Sequence, residues 1–372
     1  MGLLIFAKMP EQNFGLPEIH PSPERENVPP LEFACETKPS SKHPQRNEDV
    51  PLTLPEESLF AVFDGVSLPG RGKEAAQVAA KSIQSYFERQ KKPQSLNEAI
   101  SLVGRSLVYA NRDVYESFSS KDRGKTTGAI AYFWENPQNH ERHLVVAGVG
   151  DSRVYTIEGN EITQMTLDDG QIKEEYQDEQ RARELQAELS NYTGPRNSKN
   201  PSEKEKLLEK FFEKRNIIFQ SLGQERPVSP VVYRQKLTGG EIILVCSDGL
   251  SDNLTDKEIK KIVTKNSDRP CRLLTKKLMD QAFNESAQRK KQRSKPDDIT
   301  VIVIKENFLA IGKEVFVRRS DKSIDKNWII TDIDPKTGEI TVEKPDPDDP
   351  RYTLRKILPY SEIKKLNPPR KS

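Results

Sequence analysis

The chain has 372 residues, enough for one large domain or two ordinary ones, each able to bury a core. Charged residues make up 31% of it and apolar residues 34%, and no apolar run approaches the roughly 20 residues that span a bilayer. The 59 basic residues nearly balance the 57 acidic ones, which gives no electrostatic reason to expect a nucleic-acid partner. These totals favour a soluble protein with neither membrane nor nucleic acid as its partner.

The cysteines are scattered, at Cys35, Cys246 and Cys271, and lack the C-x-x-C spacing of a zinc or redox site. With only four histidines in the chain, a zinc centre of Cys and His ligands is not expected. This usage of cysteine is typical of a reducing, cytoplasmic setting.

Residues 1–30 are rich in proline and polar groups and predict an extended or disordered N-terminal extension. The core is expected over 31–306, with strand-like runs at LFAVFD, GAIAYFW, HLVVAGVG, SRVYTIEG, EITQMTL, EIILVCS and ITVIVIK. Between the first two runs, apolar residues recur every three or four positions, which predicts helices from about Lys73 to Arg89 and from about Leu96 to Phe118.

Two more helices are expected after the run EIILVCS. Thr255 and Glu258 make a capping box for DKEIKKIV, and Asp268 with Pro270 opens a helix that continues to about Ser286. Helices with apolar stripes need a sheet beneath them. We therefore expect the α+β class, with a β sandwich of two antiparallel sheets flanked by helices.

Two segments differ from this core in composition. Residues 168–214 consist mostly of charged and amide side chains and predict exposed helices over the core, a charged flap or helical insert. Residues 307–372 read as short alternating strands between turn clusters, which predicts a small SH3-like all-β domain with Trp328 as its aromatic focus. Such a domain either binds a protein partner or only packs on the core.

Carboxylates recur at the ends of apolar strands. The runs LFAVF and EIILVC end in Asp64-Gly65 and Asp248-Gly249. An Asp-Gly pair after an apolar run is an ordinary hairpin signal, but here each pair leads into a loop and a helix. Because charged side chains are rarely buried without a partner, two such carboxylates indicate a bound cation.

Two more acidic segments lie at strand boundaries. RNEDV brings Glu48 and Asp49, and KPDDIT brings Asp297 and Asp298. Magnesium and manganese take oxygen ligands and keep several waters, so carboxylates with a backbone carbonyl suit them. The pattern therefore predicts a site for a hard divalent cation.

Five motifs, NEDV, FAVFDG, GVGDSRVY, CSDGLSD and DDITVIV, occur in the order and spacing of the metal-dependent serine/threonine protein phosphatases of type 2C, the PPM family. The chain resembles that family from Leu31 to Glu306. The resemblance implies two antiparallel sheets flanked by helices, with two Mn²⁺ or Mg²⁺ ions, and a weaker third ion, in a cleft at one edge.

The resemblance also implies the role of each acidic residue. Asp64 bridges the two ions, Asp248 and Asp297 complete one of them, and Asp151 with Asp248 holds the third. The implied metal ligands are Glu48 (through water), Asp49, Asp64, Gly65 (through its carbonyl), Asp151, Asp248 and Asp297. The implied catalytic residues are Asp64, Asp248 and Arg46.

The match fails at two places. Pro44 stands where the family usually has an arginine that binds the substrate phosphate, and Val66 stands where some members have a histidine. We hypothesise that Arg46 or Arg71 replaces the missing guanidinium, because a lysine point charge does not reproduce its bidentate contacts. The basic run Arg289–Lys295 is interpreted as a solvated loop near the cleft.

The sequence thus predicts a protein serine/threonine phosphatase that hydrolyses phosphomonoesters by direct attack of a metal-bridging hydroxide. Phosphoserine and phosphothreonine proteins, and a cognate serine/threonine kinase, are the expected partners. One alternative is a pseudophosphatase, a binding or sensing module, which Pro44 favours and the intact aspartate set opposes. A hydrolase of small phosphate esters is the other.

Overall fold

The computed structural model describes residues 31–66, 70–119, 121–194, 201–288, 292–306, 314–319, 321–333, 339–347, 353–359 and 363. The predicted N-terminal extension, 1–30, lies outside these residues. The strands of the main body are β1 (Leu31–Lys38), β2 (Val50–Leu54), β3 (Leu59–Phe63), β4 (Gly65–Val66), β5 (Lys125–Thr126), β6 (Gly128–Glu135), β7 (Arg142–Val149), β8 (Arg153–Glu158), β9 (Glu161–Gln164), β10 (Val231–Lys236), β11 (Ile242–Cys246) and β12 (Ile299–Glu306). The helices are α1 (Gly72–Arg89), α2 (Leu96–Glu116), α3 (Gln171–Glu175), α4 (Glu179–Ser190), α5 (Glu203–Glu213), α6 (Asp248–Ser251), α7 (Asp256–Lys265) and α8 (Cys271–Ala287), with a single 3-10 turn at Pro55–Glu57.

Two five-stranded antiparallel sheets form the main body. Sheet 1 has the order β1-β12-β11-β8-β9, and sheet 2 has the order β10-β7-β6-β3-β2. Apolar side chains from both sheets, such as Phe60, Val146, Val245 and Ile304, lie in one buried cluster between them. This alternation of inward and outward side chains is what a two-layer sandwich requires.

Helices cover the outer face of each sheet. Residues such as Ile83 of α1 and Leu107 of α2 pack on sheet 2, and Ile259 of α7 and Leu278 of α8 pack on sheet 1. Helices α1 and α2 lie within two residues of the bounds that the apolar periodicity predicted, and α7 and α8 begin directly after the predicted start signals Thr255 and Pro270. The predicted β sandwich of two antiparallel sheets flanked by helices is confirmed.

The strands β1, β2 and β10 were not predicted as strands. All three lie at an edge of a sheet, where their side chains are only partly buried and their apolar pattern is weak. Pro51 within β2 also masks that strand, although an edge strand tolerates proline because one side of its backbone needs no sheet partner.

The flap helices α3, α4 and α5 correct one prediction. They were expected to be exposed, yet apolar side chains such as Leu185, Phe211 and Phe212 are buried in a cluster of their own. The charged residues of these helices occupy their outer faces. The overall composition of the segment therefore does not reveal its small apolar core. Asp168 and Asp169, at its beginning, are also buried.

The C-terminal strands β13 (Glu314–Arg318), β14 (Ile324–Ile333), β15 (Glu339–Pro345) and β16 (Thr353–Pro359) pair in sequence order as a four-stranded antiparallel sheet. Trp328 is 2% exposed in a separate apolar cluster, and its Nε1 donates to Asp325 over 3.0 Å. The all-β prediction for this part is confirmed. No helix in the described part of the chain is long and apolar enough to cross a membrane.

Candidate active site

The predicted acidic residues come from element ends on both sheets. Asp64 follows β3, Asp151 lies between β7 and β8, and Asp248 begins α6 two residues after the end of β11. Asp49 and Asp297 lie just before β2 and β12. Burial, together with the negative charges of Asp49, Asp248, Asp297 and Asp151, raises the pKa of Asp64 well above its usual range. The fold therefore brings the five aspartates into one electrostatic neighbourhood.

Glycines allow the segments of this edge to approach closely. A Cβ on Gly65 would lie 2.9 Å from the carbonyl oxygen of Glu48, and a Cβ on Gly72, at the start of α1, would lie 2.6 Å from the carbonyl carbon of Gly65. A Cβ on Gly249 would overlap the carbonyl oxygen of Asp298. The Asp-Gly pairs thus permit close backbone packing around the carboxylates, which a hairpin turn would not need.

Asp298 has a structural role that differs from that of Asp297. Its two carboxylate oxygens accept hydrogen bonds from the backbone N–H groups of Ser40 and Glu48, each over 2.7 Å, and the residue is buried. These bonds fix the segment that carries Asp49 beside the start of β12. Both Asp298 oxygens are therefore already used by the fold.

Asp49 and Asp248 are buried carboxylates with unused bonding capacity. The Oδ2 of Asp49 accepts a hydrogen bond from Ser247 Oγ over 2.7 Å, whereas its Oδ1 and the Oδ1 of Asp248 have no partner among the described residues. Burial raises the pKa of Asp49 to about 8, despite the hydrogen bond from Ser247. Buried oxygens of this kind are expensive to leave unpaired, and they match the ligands that hard cations prefer.

Lys295 places an ammonium group among these carboxylates. Its Nζ forms ion pairs with Asp248, with Asp252 at 3.1 Å and with Asp297 at 3.2 Å, and its side chain is 20% exposed. Burial acts to lower the pKa of Lys295, but the carboxylates, Asp248 first, outweigh it and raise the pKa. Among the described residues, no three His, Cys, Asp or Glu side chains converge as a ready metal-binding group.

This position corrects the interpretation of the basic run Arg289–Lys295 as a solvated loop. Arg293 is 7% exposed, and its guanidinium donates to the carbonyl oxygens of Ser251, Leu189 and Tyr192. Residues 289–291 lie outside the described part of the chain. Because a run of basic residues is usually exposed to solvent, the sequence gave no indication of these buried contacts.

The two candidate phosphate-binding arginines differ in their contacts. Arg46 pairs with Glu48 at 3.2 Å, directly beside Asp49, and its side chain is 52% exposed. Arg71 pairs with Asp122 at 2.8 Å, and its guanidinium lies over the ring of Phe118 at 5.1 Å. Arg46 is therefore next to the carboxylates and accessible, while Arg71 is engaged elsewhere.

The flap packs against the acidic edge. Arg153, which follows the GDS turn, binds Asp168 through two hydrogen-bonding nitrogens and also donates to Tyr155 and Ser190. A cleft is lined by Asp151 and Asp248 of the acidic edge and by flap residues such as Gln186 of α4 and Phe211 of α5. Sequence reasoning missed Arg153, although it lies within the motif GVGDSRVY.

Comparisons with known proteins point to one family. The model of the family described as protein phosphatase 2C matches residues 44–289. The serine/threonine phosphatase stp of Listeria innocua is 20% identical over 285 residues, which cover 76% of this chain and 98% of the relative. The protein phosphatase PhpP of Streptococcus pneumoniae is 30% identical over 167 residues, which cover 45% of this chain and 54% of the relative.

Solved structures agree with the fold. The catalytic domain of the serine threonine protein phosphatase PstP in complex with two manganese ions superposes with a TM-score of 0.54 and 20% identity, over 74% of this chain and 97% of that one. The phosphatase MsPP from Mycobacterium smegmatis, in complex with cacodylate, gives 0.56 and 20% identity, over 75% and 100%. At this identity the likeness concerns the fold alone.

Proposed function

Because the chain belongs to the protein phosphatase 2C family of serine/threonine phosphatases, we propose that its acidic edge hydrolyses phosphoserine and phosphothreonine esters of proteins with divalent metal ions. The observation that carries the proposal is the pair of buried oxygens, Asp49 Oδ1 and Asp248 Oδ1, that find no hydrogen-bond partner in the described part of the chain and lie beside three further aspartates. A fold used only for binding has no evident use for such an arrangement, whereas a hard cation satisfies it.

The donor set fits Mn²⁺ or Mg²⁺, and the structural relative PstP was solved with two manganese ions. The residues that would hold the ions are Asp49, Asp64, Gly65 through its carbonyl, Asp248 and Asp297, with Glu48 through water and Asp151 at the edge of the set. When bound, two such ions supply Lewis acidity that makes water nucleophilic at neutral pH and neutralises phosphoryl charge. Direct attack of water on phosphorus would break the bond to the serine or threonine oxygen and release inorganic phosphate and the free hydroxyl side chain, without a covalent phosphoenzyme.

Other residues of the chain position and select the substrate. Arg46 is exposed beside Glu48 and would donate hydrogen bonds to the phosphoryl oxygens. It would thereby replace the arginine that the family usually has at the position of Pro44. The flap helices and the C-terminal sheet would contact the phosphoprotein. The C-terminal sheet would also bind a protein partner. A serine/threonine kinase would supply the phosphorylated substrate. The three free cysteines favour a cytoplasmic setting for this reaction.

Hydrolysis of p-nitrophenyl phosphate and of a phosphothreonine peptide tests the proposal, with Mn²⁺ and with EDTA. We expect turnover only with metal, and a loss of roughly 100-fold or more in Asp248→Asn, because the variant weakens the charge that holds the ions. Asp268→Asn, a 75% exposed aspartate, is the matched control and should keep full activity.

A folded protein that binds Mn²⁺ but hydrolyses neither substrate would instead support the pseudophosphatase alternative. The ion pairs of Lys295 inside the carboxylate cluster are the observation that favours that alternative. Turnover of free phosphoserine that exceeds turnover of the peptide would assign the chain to small phosphate esters.

A further inference from the structure

Helices α7 and α8 carry an excess of positive charge on their outer faces. The segment from Lys257 to Asn284 contains eight basic and three acidic residues, although the whole chain is almost neutral. Seven of the eight basic residues belong to α7 or α8, and their side chains are exposed or half-buried. Because the apolar faces of both helices pack on sheet 1, through residues such as Ile259 and Leu278, the fold presents this charge to solvent.

The flap helices treat their basic residues differently. Every basic side chain of α4 and α5 forms an ion pair with a glutamate; these residues are Arg181, Arg183, Lys204, Lys206 and Lys210. By contrast, none of the seven basic side chains on α7 and α8 forms an ion pair with a residue that the structure describes. The excess charge on α7 and α8 is therefore not balanced within the described part of the chain.

The spacing of the lysines on α7 adds to this imbalance. Lys257, Lys261 and Lys265 follow one another at intervals of four residues, so they lie in one row on the helix surface. Like charges at that spacing destabilise a helix. An acidic partner bound along the row would relieve the repulsion.

A groove of about 510 Å³ is lined by residues of both helices. Its basic residues are Lys261 and Lys265 of α7 and Lys277 of α8, and Ile262 adds apolar surface. The amide side chain of Asn284 can both donate a hydrogen bond to a peptide backbone and accept one from it. The groove therefore combines the positive charge, apolar surface and hydrogen-bonding groups that an extended peptide can use.

Two acidic residues in the groove distinguish between kinds of anionic partner. Glu258 and Asp280 also line it, so a continuous row of nucleic-acid phosphates would meet both carboxylates. Among the described residues that line the groove there is no aromatic side chain on which a base could stack. The carboxylates of a peptide are spaced by uncharged atoms and can face the lysines while avoiding Glu258 and Asp280. The groove therefore favours an acidic peptide over a nucleic acid.

We propose that the groove lined by α7 and α8 is a docking site for an extended, acidic segment of a partner protein. Carboxylates of that segment pair with Lys261, Lys265 and Lys277, and its backbone lies along the groove. The site is on the outer face of sheet 1 and includes none of the acidic residues implied as metal ligands. The inference therefore does not depend on the reaction proposed for the acidic edge.

The test measures binding of a fluorescent peptide of alternating glutamate and serine residues to the full chain by fluorescence anisotropy. EDTA is present, so that the peptide cannot bind through metal ions at the acidic edge. We expect saturable binding that weakens at least tenfold when salt rises from about 0.1 M to about 1 M, because the screening length falls from about 10 Å to about 3 Å. A peptide of alternating glutamine and serine should not bind.

Substitution of the groove lysines locates the binding. The triple variant Lys261→Ala, Lys265→Ala, Lys277→Ala should raise the Kd for the glutamate peptide roughly tenfold or more, because three charge pairs are lost.

The matched control removes three exposed lysines elsewhere, one in α1 and two just after it, as the triple variant Lys81→Ala, Lys91→Ala, Lys92→Ala. It changes the net charge equally and should change the Kd less than twofold. A wild type that does not bind the peptide, or equal effects of the two triple variants, would overturn the proposal.

Two further measurements separate docking from other uses of the lysines. Without peptide, the groove variant should melt at the temperature of the wild type or above it, because repulsion along α7 is reduced. A lower melting temperature would mean that these lysines stabilise the fold, and would overturn their assignment to binding. Tighter binding of a single-stranded oligothymidylate, or of phosphatidylserine vesicles, than of the glutamate peptide would overturn the assignment to a protein segment.

Discussion

At the scale of single residues, adjacent aspartates have different tasks. Asp297 faces the acidic cluster through its contact with Lys295, while Asp298 accepts two backbone N–H groups and fixes the neighbouring segment. In the sequence DDIT the two aspartates are chemically identical, and their roles differ only because their side chains point in different directions. The strand-end carboxylates were predictable because an acidic residue after an apolar run is rare without a partner.

The contacts of Lys295 and Arg293 were not predictable, for a related reason. Both lie in a run of basic residues, whose ordinary location is a solvated surface. Their burial depends on Asn253, Ser251 and other groups that lie far away in sequence. Pairings over such distances leave no local pattern.

Arg46 gives the prediction at this scale. Arg46→Ala should raise the Michaelis constant for a phosphothreonine peptide, with a loss of roughly tenfold or more in kcat/KM, because a charge-assisted hydrogen bond to phosphate is removed. Steady-state kinetics with Mn²⁺ measure the change. Arg71→Ala is the control, since its guanidinium is bound to Asp122 and Phe118, and it should change kcat/KM less than twofold. Equal effects of the two variants would contradict the assignment to Arg46.

At the scale of elements, the amphipathic helices were predicted closely, whereas three of the edge strands, β1, β2 and β10, were not. The capping box of Thr255 and Glu258 is present at α7 and is satisfied in both directions. The edge strands β1, β2 and β10 have partly buried side chains, so apolar alternation is weak in them. The flap was misjudged because a few apolar residues among many charged ones still form a core when three helices share them.

Gly72 gives the prediction for an element. Glycine to alanine at the start of a helix normally stabilises by a few tenths to about 1 kcal/mol, because the unfolded chain loses freedom. Here the new Cβ would lie 2.6 Å from the backbone of Gly65 and push α1 away from the acidic edge. Gly72→Ala should therefore destabilise the protein by about 1–3 kcal/mol in urea unfolding.

Gly170→Ala is the matched control for this measurement. Gly170 is also at a helix start, but the nearest atom to its added Cβ is 3.7 Å away. The substitution should leave stability within about 1 kcal/mol of the wild type. If Gly72→Ala changed the free energy of unfolding as little as Gly170→Ala, the close contact between α1 and Gly65 would not contribute to stability.

At the scale of the whole molecule, the sandwich and the C-terminal sheet have separate apolar clusters. The change from long apolar runs to short alternating strands predicted this division, with a boundary near 306 that remains a prediction. The described strands of the C-terminal part pair only with one another. We therefore expect the two parts to unfold in separate transitions.

The two tryptophans of the chain report on the two parts. Trp134 is buried under α1 and α2, and Trp328 is buried in the C-terminal sheet. In Trp328→Phe the remaining Trp134 reports on the sandwich. The urea midpoint of unfolding, measured by its fluorescence, should rise by roughly 1 M when Mn²⁺ is added at about 100 times its dissociation constant. The same titration of Trp134→Phe should show no shift. A common shift would mean that the parts unfold as one unit.

The pairing of β1 with β12 has a consequence for how the chain is made. Sheet 1 takes its edge strand from the beginning of the body and its neighbour from the end, and the hydrogen bond from Ser40 to Asp298 joins residues 258 positions apart. A ribosome that adds about 5–20 residues each second needs roughly 10–50 s between those two residues. During that interval β1 lacks β12, its neighbour in sheet 1, so the acidic edge is assembled only after most of the protein has been synthesised.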